Sequence, residues 1–330
     1  MSPRELDEDD VRVRPGRSSR PRTRTRPAHE DAGAATVVTV DRGRYRLATD
    51  TGQLLTAVRA RELGRRAVIV GDRVAIVGDL SGGPDALARI VRLEPRTSVL
   101  RRTPDDNDPV ERAVVANAEI LVIVTALADP VPRPRLVDRC LVAAYDGGLS
   151  PLLCLTKSDL ADPAELLSLY QPLGVDAVVT GPGADDAGVG RLRDRLAGRV
   201  SVLFGQSGVG KSTLVNRLVP DAGRAVGLVT GVGKGRHTSS SAVALPLPGG
   251  GTVVDTPGVR SFGLGAVRPD RVLAAFSDLA PGAAGCPPGC DHRRPGCTLD
   301  AWVAAGHASE ERLASLRRLL EALADTAATW

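Results

Sequence analysis

One stretch constrains this chain more than any other: Gly205-Gln206-Ser207-Gly208-Val209-Gly210-Lys211-Ser212-Thr213. A short apolar run, Val200 to Phe204, leads into it, and a helical-looking segment that ends at Pro220 leaves it. Strand, glycine-rich loop and helix are the context in which G-x-x-x-x-G-K-[ST] holds phosphates. The glycines let the backbone curl until several N–H groups point into one anion-sized hollow. The positive end of the following helix adds to the same hollow. Lys211 can reach the β- and γ-phosphates, and Ser212 offers a hydroxyl to Mg²⁺. The loop implies a nucleoside triphosphate held by residues 205–213; base and reaction stay open.

At 330 residues the chain exceeds one ordinary domain. Hydrophobic residues make up 42%, enough for real cores, but aromatics only 2%, so those cores are built from Val, Leu, Ile and Ala. No apolar run is long enough for a membrane span, and charges occupy the N-terminus where a signal peptide needs an apolar segment. A cytoplasmic protein with no membrane partner is expected. Net charge is only +4, yet the basic residues are unevenly placed.

Residues 1–33 read as a disordered tail: after an acidic start, Arg12, Arg14, Arg17, Arg20, Arg22, Arg24 and Arg26 follow without an acid among them. Such an arm suits nucleic-acid phosphates; a merely solubilising tail is the alternative. Residues 34–94 read as all-β. Six Val-rich runs (Thr36 to Val40, Tyr45 to Thr49, Leu54 to Val58, Ala67 to Val70, Arg73 to Val77, Ala88 to Leu93) are separated by turn signals such as Asp41-Arg42-Gly43 and Gly71-Asp72. A small barrel, an OB-fold, fits this spacing. Arg42, Arg44, Arg46, Arg59, Arg61, Arg65 and Arg66 give it a basic surface, with Tyr45 the one aromatic for stacking, which favours backbone and shape contacts to RNA. Residues 95–112 read as a polar, irregular connector.

From 113 to 270 strands alternate with helices, the pattern of a mostly parallel sheet covered on both faces. Ile120 to Thr125, Leu152 to Leu155, Val175 to Val179, Ser241 to Leu247 and Thr252 to Asp255 join the run before the glycine-rich loop as strands. Pro134 to Tyr145, closed by Gly147, and Val189 to Leu196 are helices, and Asp162-Pro163-Ala164-Glu165 starts another. Phosphates belong at the carboxyl ends of such strands.

After Leu155 comes Thr156-Lys157-Ser158-Asp159. Asp159 can accept from guanine N1–H and its exocyclic amine; adenine would leave that carboxylate unsatisfied. Lys157 would lie along the base plane with its stem. G proteins usually carry Asn where Thr156 stands. Thr180-Gly181, after the next strand, could support the base from behind. Downstream, Asp255-Thr256-Pro257-Gly258 is a D-x-x-G element in which Asp255 holds Mg²⁺ through water and Gly258 N–H meets the γ-phosphate. Gly233 to Ser240 suits a switch loop. Because the guanine element precedes the P-loop, the chain reads as a circularly permuted GTPase.

Residues 271–330 form a small zinc-binding and helical domain. Cys286, Cys290, His292 and Cys297 lie in a Gly/Pro-rich loop, and three thiolates with one imidazole make a closed tetrahedral set suited to one structural Zn²⁺. Cys140 and Cys154 sit on apolar faces and read as core. Glu310 to Leu323 is an amphipathic helix with a leucine stripe (Leu313, Leu316, Leu319, Leu320, Leu323) and Arg312, Arg317 and Arg318 on the other side, a basic face that could meet RNA.

These motifs together resemble the RsgA/YjeQ family of ribosome small-subunit-dependent GTPases over residues 34–300. Gly71-Asp72-Arg73-Val74, Arg96-Thr97-Ser98-Val99-Leu100-Arg101 and Gly235-Arg236-His237-Thr238 are similar to its signatures. The resemblance implies a multidomain architecture: an N-terminal OB-fold β-barrel, a central circularly permuted α/β P-loop GTPase domain and a C-terminal zinc-binding domain. The family's gaps are a residue wider between the first two cysteines and between the histidine and the last. Val259 stands where Ras-like enzymes carry a water-orienting glutamine. The resemblance implies that His237 takes that catalytic role beside Lys211, and that a following hydroxyl, Thr238 or else Ser239 or Ser240, ligates Mg²⁺ with Ser212 and Asp255. It also implies GTP and GDP as ligands, the small ribosomal subunit and its rRNA as partner, late maturation of that subunit, and a monomer. An RNA-binding scaffold with a structural nucleotide site, and a P-loop kinase or ATPase, are the rival readings.

Overall fold

The structure is a computed structural model that describes residues 29–63, 68–102, 112–183, 187–220, 222, 226, 242–256, 267 and 269–327. The Arg-rich tail to residue 28, Arg65, Arg66, Gly233 to Ser240 with His237 and Thr238, and Gly258 lie outside the described residues.

Five strands, β1 (Gly33–Asp41), β2 (Arg44–Thr49), β3 (Leu54–Arg59), β4 (Arg73–Gly78) and β5 (Ala88–Leu93), run in the order β1-β2-β3-β5-β4, and β4 pairs back onto β1. The barrel is therefore closed, with β3 and β5 its one parallel pair, as an OB-fold requires. Period-two alternation turns Tyr45, Leu47, Leu55 and Ala57 inward, where they meet Ile76 and Ile90. Arg42 and Gly43 take φ of 44° and 82°, the two-residue turn whose twist matches a hairpin.

The expected strand Ala67 to Val70 is not one. Of its described residues, Val70 alone makes a bridge, opposite Val115 outside the barrel, where its carbonyl accepts the Ala116 N–H at 2.9 Å. The reason is local: the Asp72 carboxylate accepts the Ile69 N–H at 2.8 Å, so a side chain takes a backbone group that a ladder would use. The connector departs from expectation too. Val99–Arg102 (β6) and Arg112–Ala116 (β7) form a two-stranded antiparallel ribbon, because the apolar residues at its ends have somewhere to go: Leu100 and Val115 are fully buried. Arg96 grips the buried Asp72 with two hydrogen bonds of 2.7 and 2.8 Å, and Asn117 bridges Gly71 O and Thr97 N. These contacts fasten the barrel to the strand that follows.

That strand, β8 (Ile120–Ala126), starts the second sheet with β9 (Ser150–Thr156), β10 (Asp176–Val179), β11 (Val200–Phe204), β12 (Val243–Pro246) and β13 (Thr252–Asp255). The order is β10-β9-β8-β11-β13-β12, parallel throughout except β12. All-buried β8 reads as an unbroken apolar run because parallel strands are covered on both faces. A single pairing, Thr39 with Val243, continues this sheet into the barrel.

The helices are α1 (Pro134–Gly147), α2 (Ala164–Tyr170), α3 (Ala187–Leu196), α4 (Lys211–Leu218), α5 (Pro269–Ala274), α6 (Thr298–Ala304) and α7 (Glu310–Ala327); α5 and α6 were not expected from the sequence. Helix α1 ends one residue later than expected. Gly148, at φ 75°, is the cap, while Gly147 is needed for closeness: a Cβ there would lie 2.6 Å from Val99 O. The leucine stripe of α7 is buried against α1 and α5, each side chain contributing about 1.5–3 kcal/mol.

The arginines of α7 do not form a solvent face. Arg312 holds Asp278 and Pro172 O and lies over the Phe276 ring at 4.4 Å. Arg317 holds Asp300, His292 O and Arg294 O. Arg318 pairs with Asp138 of α1 and lies over Tyr170. Helical spacing in fact sets Arg312 within the leucine arc and Arg317 and Arg318 on opposite flanks of it; the segments packed there supply carboxylates and carbonyls, the acceptors a half-buried guanidinium needs.

Candidate functional site

Parallel strands share a direction, so β8, β9, β10, β11 and β13 end on one edge of the sheet, and the predicted motifs gather there. The glycine-rich loop leaves β11 under close quarters: a Cβ on Gly205 would lie 2.5 Å from Val124 O of β8. Gly208 and Gly210 take φ of 85° and 89°, the left-handed turns by which successive N–H groups line a hollow. Val209 is buried and pins the loop, and Gly210 caps α4. Ser207, Ser212 and Thr213 are exposed, and Gln206 Oε1 is buried without a hydrogen-bond partner among the described residues.

Lys211 is 8% exposed. Its ammonium is bonded to the Asp255 carboxylate and to Thr256 O, so the phosphate loop and the D-x-x-G strand meet through one side chain. The Thr256 hydroxyl donates to Leu203 O at 2.7 Å and locks that strand end to β11.

The base loop joins the same edge. Thr156 closes β9, and its hydroxyl donates to Val209 O of the phosphate loop at 2.6 Å. A threonine thus makes the tie between the two loops. Lys157 takes φ 59° and its ammonium bonds to Asp129 O, while Asp159 is exposed. The loop after β10 lies alongside: Ser158 N–H donates to Thr180 O and Thr180 N–H to Leu155 O, at 3.2 and 2.7 Å. The expected neighbourhood of Thr180-Gly181 and the base loop is therefore present.

Two contributors were not legible in the sequence. Asp129-Pro130, after β8, holds Lys157 and sets Pro130 Cδ 3.7 Å from the place of a Gly208 Cβ. Arg217, in the last turn of α4, donates to Gly181 O at 2.7 Å and to Gly183 O. Neither lies in a motif; their one signal is attachment to elements that end at this edge.

Cys286, Cys290, His292 and Cys297 converge, with one ligand atom from each inside a span of 4.8 Å. Cys286 Sγ is 3.3 Å from Cys297 Sγ and 3.5 Å from His292 Nδ1, and Cys290 Sγ is 3.8 Å from Cys297 Sγ. A tetrahedral metal with bonds of about 2.3 Å sets its ligands about 3.7 Å apart, so the cluster could hold a metal ion. All three thiols are free of disulfides. Burial pushes the Cys297 thiol up to about 12, so a cation must displace its proton to use it. The hydrogen bond from Arg317 holds the Asp300 carboxyl below its ordinary value beside this loop.

The geometry gathers the phosphate loop, the end of the D-x-x-G strand and the Thr156–Asp159 loop on one sheet edge, in permuted order. Residues 93–265 match the RsgA GTPase family. A "small ribosomal subunit biogenesis GTPase RsgA" from Pseudomonas putida is 40% identical over 268 residues, spanning 78% of this chain and 76% of the relative. The chain belongs to the RsgA GTPase family. It is a GTPase, a hydrolase acting on GTP. The protein of the same name from Pseudomonas aeruginosa is 39% identical over 269 residues, covering 79% of this chain and 77% of its own length. Two solved structures share the fold: YjeQ from Thermotoga maritima (TM-score 0.64, 24% identity, 88% of this chain and 98% of that one) and YloQ, described as a circularly permuted GTPase (TM-score 0.63, 20% identity, 90% and 97%).

Proposed function

We propose that this member of the RsgA GTPase family works on the small (30S) ribosomal subunit, hydrolysing GTP to GDP and phosphate late in that subunit's maturation, and that the subunit stimulates the reaction. The observation that carries the nucleotide half is the Thr156 to Val209 bond, which brings a guanine-reading loop against a phosphate loop. The ribosomal half is supported by the name its relatives carry and by the exposed arginines of the barrel.

The working plan is a tail (1–33), OB-fold (34–94), connector (95–112), GTPase domain (113–270) and zinc-binding helical domain (271–330). Residues 205–213 bind the phosphates, with Lys211 neutralising charge that develops on the transferred group. Thr156, Lys157 and Asp159 bind guanine, and the Gly258 N–H meets the γ-phosphate. Lys211 leaves Asp255 for phosphate oxygens when nucleotide enters, which frees the Asp255 carboxylate at the same sheet edge. Ser212, Asp255 and Thr238 offer hard oxygens, the donors Mg²⁺ prefers; bound there it would screen the phosphate charge. His237 orients the attacking water, since Val259 cannot. The cysteine–histidine set holds one structural Zn²⁺ and ties its loop together. The protein acts in the cytoplasm as a monomer; none of its described helices is long and apolar enough to cross a membrane.

The test is GTP turnover with and without purified small subunits. Stimulation of at least tenfold is expected, and His237→Ala should remove it while leaving nucleotide binding. Unstimulated turnover would favour an RNA-binding scaffold. Asp159→Asn should exchange preference for guanine for preference for xanthine nucleotides; unchanged GTP binding would refute the guanine assignment.

A further inference from the structure

We propose that Arg217 is a positioning residue for base selection, acting through the loop Gly181-Pro182-Gly183. The inference rests on the reading of Asp159 as the guanine-binding carboxylate and adds a residue that no motif contains.

Arg217 stands seven residues into α4, whose first turn carries Lys211 and Ser212. Its guanidinium crosses to the loop after β10 and donates to two carbonyls there, Gly181 O at 2.7 Å and Gly183 O. Its own carbonyl accepts from Arg193 of α3 at 3.0 Å, which fixes the backbone from which the fork projects. The loop it grips contains two glycines around one proline, so its ends have wide backbone freedom unless something holds them. What holds the near side is Thr180, bonded to β9 through Leu155 O and to the base loop through Ser158 N. Gly181 lies hard against that base loop, since a Cβ on it would be 3.0 Å from Ser158 Oγ.

The chemistry follows from what guanine displays. Asp159 can satisfy N1–H and the exocyclic amine, but the 6-oxo group is an acceptor and needs an N–H donor from elsewhere. Pro182 has none, so Gly181 and Gly183 supply the loop's backbone donors in this stretch. The Gly181 N–H shares its peptide plane with Thr180 O, which Ser158 N–H holds, and the Gly183 N–H shares its plane with Pro182 O; by gripping Gly181 O and Gly183 O, Arg217 fixes the peptide planes on either side of the one that carries the Gly183 N–H. One planar guanidinium can fix two carbonyls at once; an ammonium cannot do so with the same geometry. Arg217 therefore couples the helix that carries the phosphate site to the loop that meets the 6-position of the purine.

The experiment measures binding of fluorescent GDP, ADP and inorganic tripolyphosphate to the full chain with Arg217 or Arg217→Ala, with the folded state checked by circular dichroism. Two hydrogen bonds to a charged donor are lost from the loop, and GDP is expected to bind about tenfold more weakly while tripolyphosphate binds as before, so that the GDP-to-ADP preference falls by the same factor. Arg217→Lys should fall between the two. Equal weakening of GDP and tripolyphosphate would mean that Arg217 only braces α4, and an unchanged GDP-to-ADP ratio would overturn the proposal outright. If Arg217→Ala does not fold, Arg217→Lys decides by the same ratio. A wild-type chain without preference for GDP over ADP would instead refute the guanine site itself, and Asp159→Asn would then change nothing.

Discussion

On the barrel, five arginines stand exposed: Arg44 and Arg89 alternate with core residues, Arg59 ends β3, and Arg42 and Arg61 lie in turns. On α7, Arg312, Arg317 and Arg318 turn inward and are held by carboxylates, carbonyls and aromatic rings of other segments. The two sets look alike in composition, and all but Arg89 are candidates for RNA contact by sequence. Their difference teaches that a basic stripe becomes a binding surface only when the fold leaves its charge in water. On the barrel these five side chains keep most of their surface in water. Helix α7 is instead the centre of a docking seam between the cysteine loop, α1 and the turn after α2, so its arginines act as fasteners.

The sharpest way to break this contrast is Arg318→Ala. It leaves the Asp138 carboxylate buried without its cation, and the expected loss is about 3–5 kcal/mol of unfolding free energy, measured in urea. Arg44→Ala should cost under about 0.5 kcal/mol. The sign of the pH dependence adds a second check. Burial already raises the Asp138 carboxyl above its ordinary value, opposed by Arg318. With a raised value the folded state binds the proton more tightly than the unfolded one, so this group favours folding increasingly as pH falls through that value. Removing Arg318 raises it further. The deficit of the variant relative to the parent should therefore shrink on going from neutral to acidic pH; a constant deficit would mean that the pair is not the cause.

Next in size is Arg317→Ala, which releases His292 O and Arg294 O. Metal affinity, read by competition with a chromogenic chelator, should fall about tenfold or more, as outer-shell losses do. Unchanged affinity would leave Arg317 a packing residue only. Smallest per residue are the barrel arginines. Arg42→Glu and Arg89→Glu should each weaken cosedimentation with small subunits and flatten its salt dependence by about one phosphate contact, with no change in unfolding. If reversal at α7 had the larger effect on subunit binding in a folded variant, the comparison would be upside down.

The strands and helices around the site were legible because each carried its own period. Alternation in β2 and β3, the apolar run of β8 and the glycines after β11 are local facts. The ribbon of β6 and β7 was not legible: a Pro/Asp-rich stretch lies between its halves, and the burial of Leu100 and Val115 depends on partners far along the chain. The strand misread at Ala67 to Val70 has the same origin, since its apolar letters are real but Asp72 and Ala116 take its backbone groups. In the site, the motif residues were found by spacing. Thr156 was found but its tie to Val209 could not be, and Arg217 and Asp129 carry no local mark at all.

By itself the sequence determined the kind of chemistry: a phosphate loop, a carboxylate after a strand and four soft ligands in one loop are choices of residue type, and residue type is local. Tertiary structure alone decided which groups meet, because contact between residues 44 or more apart depends on strand order. Thr156 reaching Val209, Lys211 reaching Asp255 and Arg318 reaching Asp138 all arise that way. The same physics divides the arginines: charge is written in the sequence, but whether water or a buried carboxylate surrounds it is settled by packing.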